Sequence, residues 1–273
     1  MNLDFSNDQK FLQEEARKFL EKENSINRNR GVLDSDHNTD AELWNKIVDL
    51  GWTGIRIPEE YGGLGLTHLE LCVIAEELGR FLAPVPFSSS VYLFTEAIIK
   101  YASEDIKQEI LPKLISGEVI GTLAVTEEFC APTASNMKTE VNNNLITGKK
   151  IAVPDAGIAT HSIIITKSGS GISLQLINHS SDEVVISHQE NIDESRGHFS
   201  ITLDNTPCKL IGDTSNGWDL FESLMDQAAV LFSFEQLGGS QASLDMAVGY
   251  AKERYAFGRP IGFFQAIKHK LAD

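Results

Sequence analysis

Few side chains in this sequence stand in a pattern that does chemistry by itself. His161, His179, His188 and His198 are scattered and form no recognisable constellation. Cys72, Cys130 and Cys208 are odd in number, far apart and without metal-ligand spacing, so neither a disulfide framework nor a metal site is expected. Asp226 and Glu235 are carboxylates on a helical stretch, yet an ordinary acidic residue on a solvated helix face is the simpler account of each. The densest cluster of chemical types lies near the C-terminus, where Arg254, Phe257, Gly258, Arg259, Pro260 and Gln265 follow one another. Arginine suits phosphate because its planar fork gives paired, charge-assisted bonds. Taken alone, Arg254 reads as an exposed ion pair with Glu253 or Asp245.

The elements that must position these residues follow from hydrophobic periodicity. Helical spacing is expected after a cap at Ser6-Asn7-Asp8-Gln9, where Phe11, Leu12, Ala16, Phe19 and Leu20 line one face. Glu23 to Asp40 is rich in Asn, Asp and Arg and reads as an exposed connection; helix resumes over Ala41 to Leu50. Further helices are expected over Leu69 to Leu82, Ser88 to Lys100 and Ser103 to Leu114, with Pro112 marking a bend or late break. From Gly121 the period shifts towards two. Gly121–Thr126, Met137–Val141, Asn144–Thr147, Lys150–Val153, Ser162–Thr166, Ile172–Ile177 and Ser200–Leu203 read as short strands, with turns at Asn142-Asn143-Asn144 and Ser168-Gly169-Ser170-Gly171. A helix starts over Trp218 to Met225. Another, from Gly239 to Glu253, carries Leu244, Ala247, Val248 and Ala251 on one stripe, and a last one begins near Gly262. The expected fold class is α+β: an all-helical domain over 1–118, an antiparallel β-domain over 119–214, and over 215–273 the first part of a helical bundle whose apolar stripes need covering. No helix-stop signal precedes Asp273, which reads as a chain ending inside a helix.

The run Glu253-Arg254-Tyr255-Ala256-Phe257-Gly258-Arg259-Pro260-Ile261, followed by Phe264-Gln265-Ala266-Ile267 and Leu271-Ala272-Asp273, resembles the C-terminal signature of the acyl-CoA dehydrogenase flavoproteins. Pro58-Glu59-Glu60-Tyr61-Gly62-Gly63-Leu64-Gly65-Leu66 resembles a loop of their N-terminal domain, where packing is at least as good an account as ligand contact. The order helical, β, helical extends the resemblance over the whole chain. It implies FAD as cofactor, an acyl-CoA substrate oxidised to the 2,3-enoyl thioester, and electrons passed to an electron-transfer flavoprotein. It implies further that Val125 and Thr126, within Ala124-Val125-Thr126-Glu127, lie along the flavin ring. Arg254, Phe257 and Gln265 would reach the dinucleotide of a neighbouring subunit, which makes the protein a homo- or hetero-oligomer.

The sequence also departs from that pattern. Glu128 to Asn136 lacks the Gly-rich continuation, and Ala152-Val153-Pro154 replaces a Trp-Ile-Thr strand, where Pro154 has no N–H to donate. Abstraction of a proton beside a thioester carbonyl requires a base within hydrogen-bond reach. The position at which some relatives carry that base on this helix is Ala228, so no catalytic residue is assigned. Two further readings stand beside the dehydrogenase: a non-catalytic flavin-holding subunit of a heteromer, and a flavin oxidase or monooxygenase of the same fold. Acyl chain length and branching are not legible.

Net charge is -16 over 273 residues, which argues against nucleic acid or an anionic membrane as the main partner. No run approaches the roughly 20 apolar residues that span a bilayer, and the N-terminus has neither signal-peptide nor transit-peptide character. A cytoplasmic protein of fatty acid or lipid metabolism is the expectation.

Overall fold

Ser6 accepts a hydrogen bond from the Gln9 amide while the Gln9 side chain bonds back to the Ser6 amide, a capping box that starts α1 (Asn7–Glu23). The computed structural model describes residues 4–33, 35, 38–169 and 171–273. The stretch expected as an exposed connection contains a helix instead, α2 (Ile26–Leu33). Arg28 pairs with Asp40, and the side-chain amides of Asn24 and Asn29 donate to the Phe81 carbonyl at 2.8 and 2.9 Å. Polar side chains anchor this helix where apolar periodicity would have announced it. Asp34, Asp36 and His37 of that stretch lie outside the described residues.

Asp40 caps α3 (Ala41–Asp49), and Thr67 caps α4 (His68–Arg80). Between them the loop from Ile57 to Leu66 packs on itself. A Cβ on Gly63 would lie 2.1 Å from the Ile57 carbonyl oxygen, so the turn requires glycine. Ser88–Thr95 forms a fully buried π-helical segment that runs into α5 (Glu96–Tyr101), and α6 (Glu104–Ile115) tolerates Pro112 close to its end.

The strands are β1 (Gly121–Ala124), β2 (Glu140–Asn142), β3 (Leu145–Pro154), β4 (His161–Ser168), β5 (Gly171–Asn178), β6 (Val184–Gln189), β7 (His198–Pro207) and β8 (Lys209–Ile211). They form one eight-stranded sheet in the order β6-β7-β3-β2-β4-β5-β8, with β1 also paired to β4. The sheet is mixed, which corrects the expectation of an antiparallel domain. Both β1 and β2 run parallel to β4, because long connections rather than hairpins join them to it. The hairpins do follow the turn residues: Asn143 and Asn144 have φ of 51° and 60° between paired Asn142 and Leu145, as a type I′ turn requires. Ser168 pairs with Gly171 across the second turn, in which Ser170 lies outside the described residues.

Strand β4 is buried on both faces. Ile163 and Ile165 join the large core shared with the helices, whereas Ile164 joins a second core with Ile146, Val153, Ile177 and Ile201 on the opposite face. From Gly217 to Glu253 runs a single helix, α7, of 37 residues and about 55 Å. Two helices were expected here, one starting over Trp218 to Met225 and one from Gly239 to Glu253. Gly238 continues the helix because it is the point of contact with α4: a Cβ there would lie 1.8 Å from the Glu76 carbonyl oxygen, and one on Gly79 would lie 2.0 Å from that of Glu235. Beyond this crossing the helix bears exposed Leu244, Met246 and Tyr250. A two-stranded hairpin, β9 (Tyr255–Ala256) and β10 (Arg259–Pro260), then leads to α8 (Gln265–Ala272).

Candidate functional site

Val125 and Thr126 follow β1 and are held from behind by a buried ion pair. The Lys150 ammonium, whose side chain is fully buried, donates to the Glu127 carboxylate at 2.7 Å and to the Val125 carbonyl at 3.2 Å. Glu127 also accepts from the backbone amides of Lys138 (2.6 Å) and Thr139 (3.0 Å). Burial pulls the Lys150 pKa down to about 8 against the opposing influence of Glu127. Burial alone would raise the Glu127 carboxyl, but Lys150 and the Thr139 amide outweigh it and hold it below its usual range. The Thr126 carbonyl accepts from the Ile151 amide at 2.8 Å, which ties the segment to β3.

Thr126 opens on a depression of about 670 Å³ whose wall includes Phe129, Ile151, Ala152, Gln189 and His198. Ala152 sits at a register shift of the β3–β7 pairing with φ of 51°, and its amide donates to the Gln189 side chain at 2.7 Å. The Pro154 carbonyl accepts from the Thr122 hydroxyl at 2.7 Å, so this residue serves the fold as an acceptor.

The other candidates stand elsewhere. Arg254, Phe257 and Gln265 cluster around the β9–β10 hairpin at the far end of α7, and none of them lines the Thr126 depression. All three are exposed, Phe257 to 95%. The Phe257 ring meets Phe264 edge-on at 6.1 Å, and the Arg259 guanidinium lies 5.3 Å from the Phe264 ring centre. Asp245 is taken by Arg80 at 2.7 Å, and among the described residues no ion pair forms with Arg254. Among the described residues this region thus presents a guanidinium without an ion pair, an exposed aromatic ring and an exposed amide. Such a set fits a dinucleotide, whose pyrophosphate needs a fork of donors and whose rings need a stacking face.

Of the two acidic candidates, Asp226 is exposed, as expected of a solvated helix face; Ala228, the position where some relatives carry the base, is buried. Glu235 corrects its expectation of a solvated face. Its carboxylate accepts from the Tyr92 hydroxyl at 2.9 Å, and burial pushes its pKa up against the opposing pull of Arg196. The signal was spacing: Leu224, Ala228, Leu231 and Gly238 are the buried stripe of α7, and Glu235 falls on it in the same alternation of four and three. The histidines form no ligating group: His179 bonds Ser162 at 2.6 Å and lies near His161, whose charge would oppose its own, while His198 bonds Asn191 at 2.8 Å. No group of metal-ligating side chains forms among the described residues. The three cysteines are free, and no helix among the described residues is long and apolar enough to cross a membrane.

A helical layer, a mixed sheet and a long helix packed against both make up the fold. The model of the acyl-CoA dehydrogenase N-terminal domain matches residues 6–118 and that of the C-terminal domain matches residues 215–273, together well over half the chain. The chain belongs to the acyl-CoA dehydrogenase family, whose members are flavin-dependent oxidoreductases. It is 28% identical to a probable acyl-CoA dehydrogenase, YngJ, of Bacillus subtilis, over 100% of this chain and 76% of that protein. Butyryl-CoA dehydrogenase from Megasphaera elsdenii superposes with a TM-score of 0.91 at 23% identity, covering 100% of this chain and 76% of that one. A glutaryl-CoA dehydrogenase from Mycobacterium smegmatis in complex with FADH2 superposes with a TM-score of 0.87 at 22% identity, over 98% and 71%. At these identities the structural likeness shows the fold.

Proposed function

We propose that this chain takes part in the α,β-dehydrogenation of an acyl-CoA thioester with FAD bound. The division into 1–118, 119–214 and 215–273 belongs to the same reading. Val125 and Thr126 would face the flavin ring, while Arg254, Phe257 and Gln265 would hold the dinucleotide of a neighbouring subunit. The observation that carries this reading is the pairing of a buried Lys150–Glu127 clamp behind Val125 and Thr126 with an unpaired, outward-facing Arg254 hairpin in the same chain. Their separation along the fold favours an oligomer, since one cofactor meeting both sets draws them from two chains. A cytoplasmic place in lipid metabolism and an electron-transfer flavoprotein as acceptor belong to the same reading.

A bound flavin supplies the two-electron acceptor that no side chain offers. The chain's own part is to bind and orient. Lys150 and Glu127 fix the backbone beneath Val125 and Thr126, and Arg254 meets phosphate. With Ala228 buried and Asp226 exposed, a second reading keeps its footing: a flavin-holding subunit whose partner brings the base.

The deciding experiment is the visible absorbance of the purified protein during titration with acyl-CoA thioesters. A flavin band that bleaches with one thioester supports the dehydrogenase. A band that persists with every thioester selects the holding subunit, and peroxide produced on bleaching in air selects an oxidase. Arg254→Ala is expected to weaken FAD retention by about tenfold or more, read by equilibrium dialysis; unchanged retention removes Arg254 from the site.

A further inference from the structure

A second cavity, of about 340 Å³, lies between the end of α4, the turn that follows it and the middle of α7. Its wall is mainly apolar, with Leu78, Leu82, Ala83 and Phe87, and two charged side chains, Arg196 and Glu235, enter it. That composition is the one small-molecule sites share: an apolar lining with a few placed polar groups. Leu82, at the C-terminal side of α4, is 63% exposed with φ of 49°, a conformation costly for a branched residue.

The polar groups are unequally occupied. The Arg196 guanidinium donates to Ser88 Oγ at 2.6 Å, to Asp155 at 2.9 Å and to the Val85 carbonyl at 3.4 Å, so its charge is matched. Glu235 accepts one bond, through Oε1 from Tyr92, and among the described residues its Oε2 accepts none. A ligand seated here therefore gains most by donating a hydrogen bond to Glu235. An anion would meet Glu235, and a cation would meet Arg196 in the same wall; a neutral donor meets neither penalty. We propose that this cavity binds a short hydrocarbon bearing a hydroxyl group, its chain against Leu78, Leu82, Ala83 and Phe87 and its hydroxyl donating to Glu235. Burial pushes the Glu235 carboxyl pKa up, and Arg196 and the Tyr92 hydroxyl oppose it. This site is independent of flavin and of the thioester reading.

The test is a calorimetric or NMR titration of the full chain with 1-pentanol and with its isomer butyl methyl ether, which has the same atoms and no donor. Pentanol is expected to bind about tenfold more tightly, the discrimination a carboxylate acceptor gives against an analogue without the donor. Glu235→Leu should bring pentanol to the affinity of the ether, and Ala83→Phe, which fills the cavity from its apolar side, should abolish binding of both. Should Glu235→Leu fail to fold, the isomer comparison and Ala83→Phe decide alone. Equal affinity of the isomers, no binding of pentanol, or binding undiminished by Ala83→Phe overturns the proposal.

Discussion

Lys150 shows how much a single residue can be asked to do. An ammonium with no exposed surface keeps its charge only because Glu127 stands 2.7 Å away, and Glu127 is itself tied to two backbone amides. Lys150→Met removes one member and leaves a buried carboxylate without its partner. The expected loss is about 3–5 kcal/mol in urea unfolding, and adding Glu127→Gln should recover part of it. His179 gives the complementary case. Burial depresses its pKa from 6.5 to about 4, so the folded protein refuses a proton that the unfolded chain accepts. Its contribution is whole above pH 6.5 and is lost as the pH falls towards 4, reaching about 3 kcal/mol. The pH dependence of stability in this window should be shallower in His179→Gln, which keeps a polar partner for Ser162 and cannot titrate. An unchanged profile would assign the acid sensitivity to other groups.

At the scale of elements, the crossing of α4 and α7 is set by two glycines. Gly238→Ala should cost about 1–3 kcal/mol in thermal or chemical unfolding, because the methyl group displaces backbone rather than a pliable side chain. Gly239 is the control: a Cβ there would meet its nearest neighbour, the Gly79 carbonyl oxygen, at 3.5 Å, so Gly239→Ala should be neutral or stabilise by up to about 1 kcal/mol through helix propensity. The same pair explains what the sequence hid. The sequence pattern starts a helix at Gly239, and only the approach of α4 makes Gly238 a contact within one continuous helix. Strand β6 escaped notice because Val184 to Gln189 mixes partly exposed positions with polar residues, and its place is fixed by pairing with β7 rather than by its own pattern. Capping at Ser6, the Asn143-Asn144 turn and the apolar run of β4 were all legible, since their causes are local. For the site, the resemblance of the run from Glu253 to Ile261 to a family signature singled out Arg254, but Lys150 and Glu127 lie 23 residues apart and only the fold joins them.

For the whole molecule, α7 is the member that spans it. Its first part packs Phe221, Leu224, Ala228 and Leu231 into the core, and its later part carries exposed apolar side chains past the crossing. One unbroken ladder of hydrogen bonds therefore passes through two environments, and its amides should not share a single clock. Hydrogen–deuterium exchange should find those near Leu224 to Leu231 opening only with global unfolding, and those from Ser243 to Glu253 opening by local fraying, orders of magnitude sooner. A uniform rate along the helix would mean that its outer half is held by contacts with another copy of the chain. The gradient, or its absence, makes α7 a built-in gauge of whether the protein stands alone.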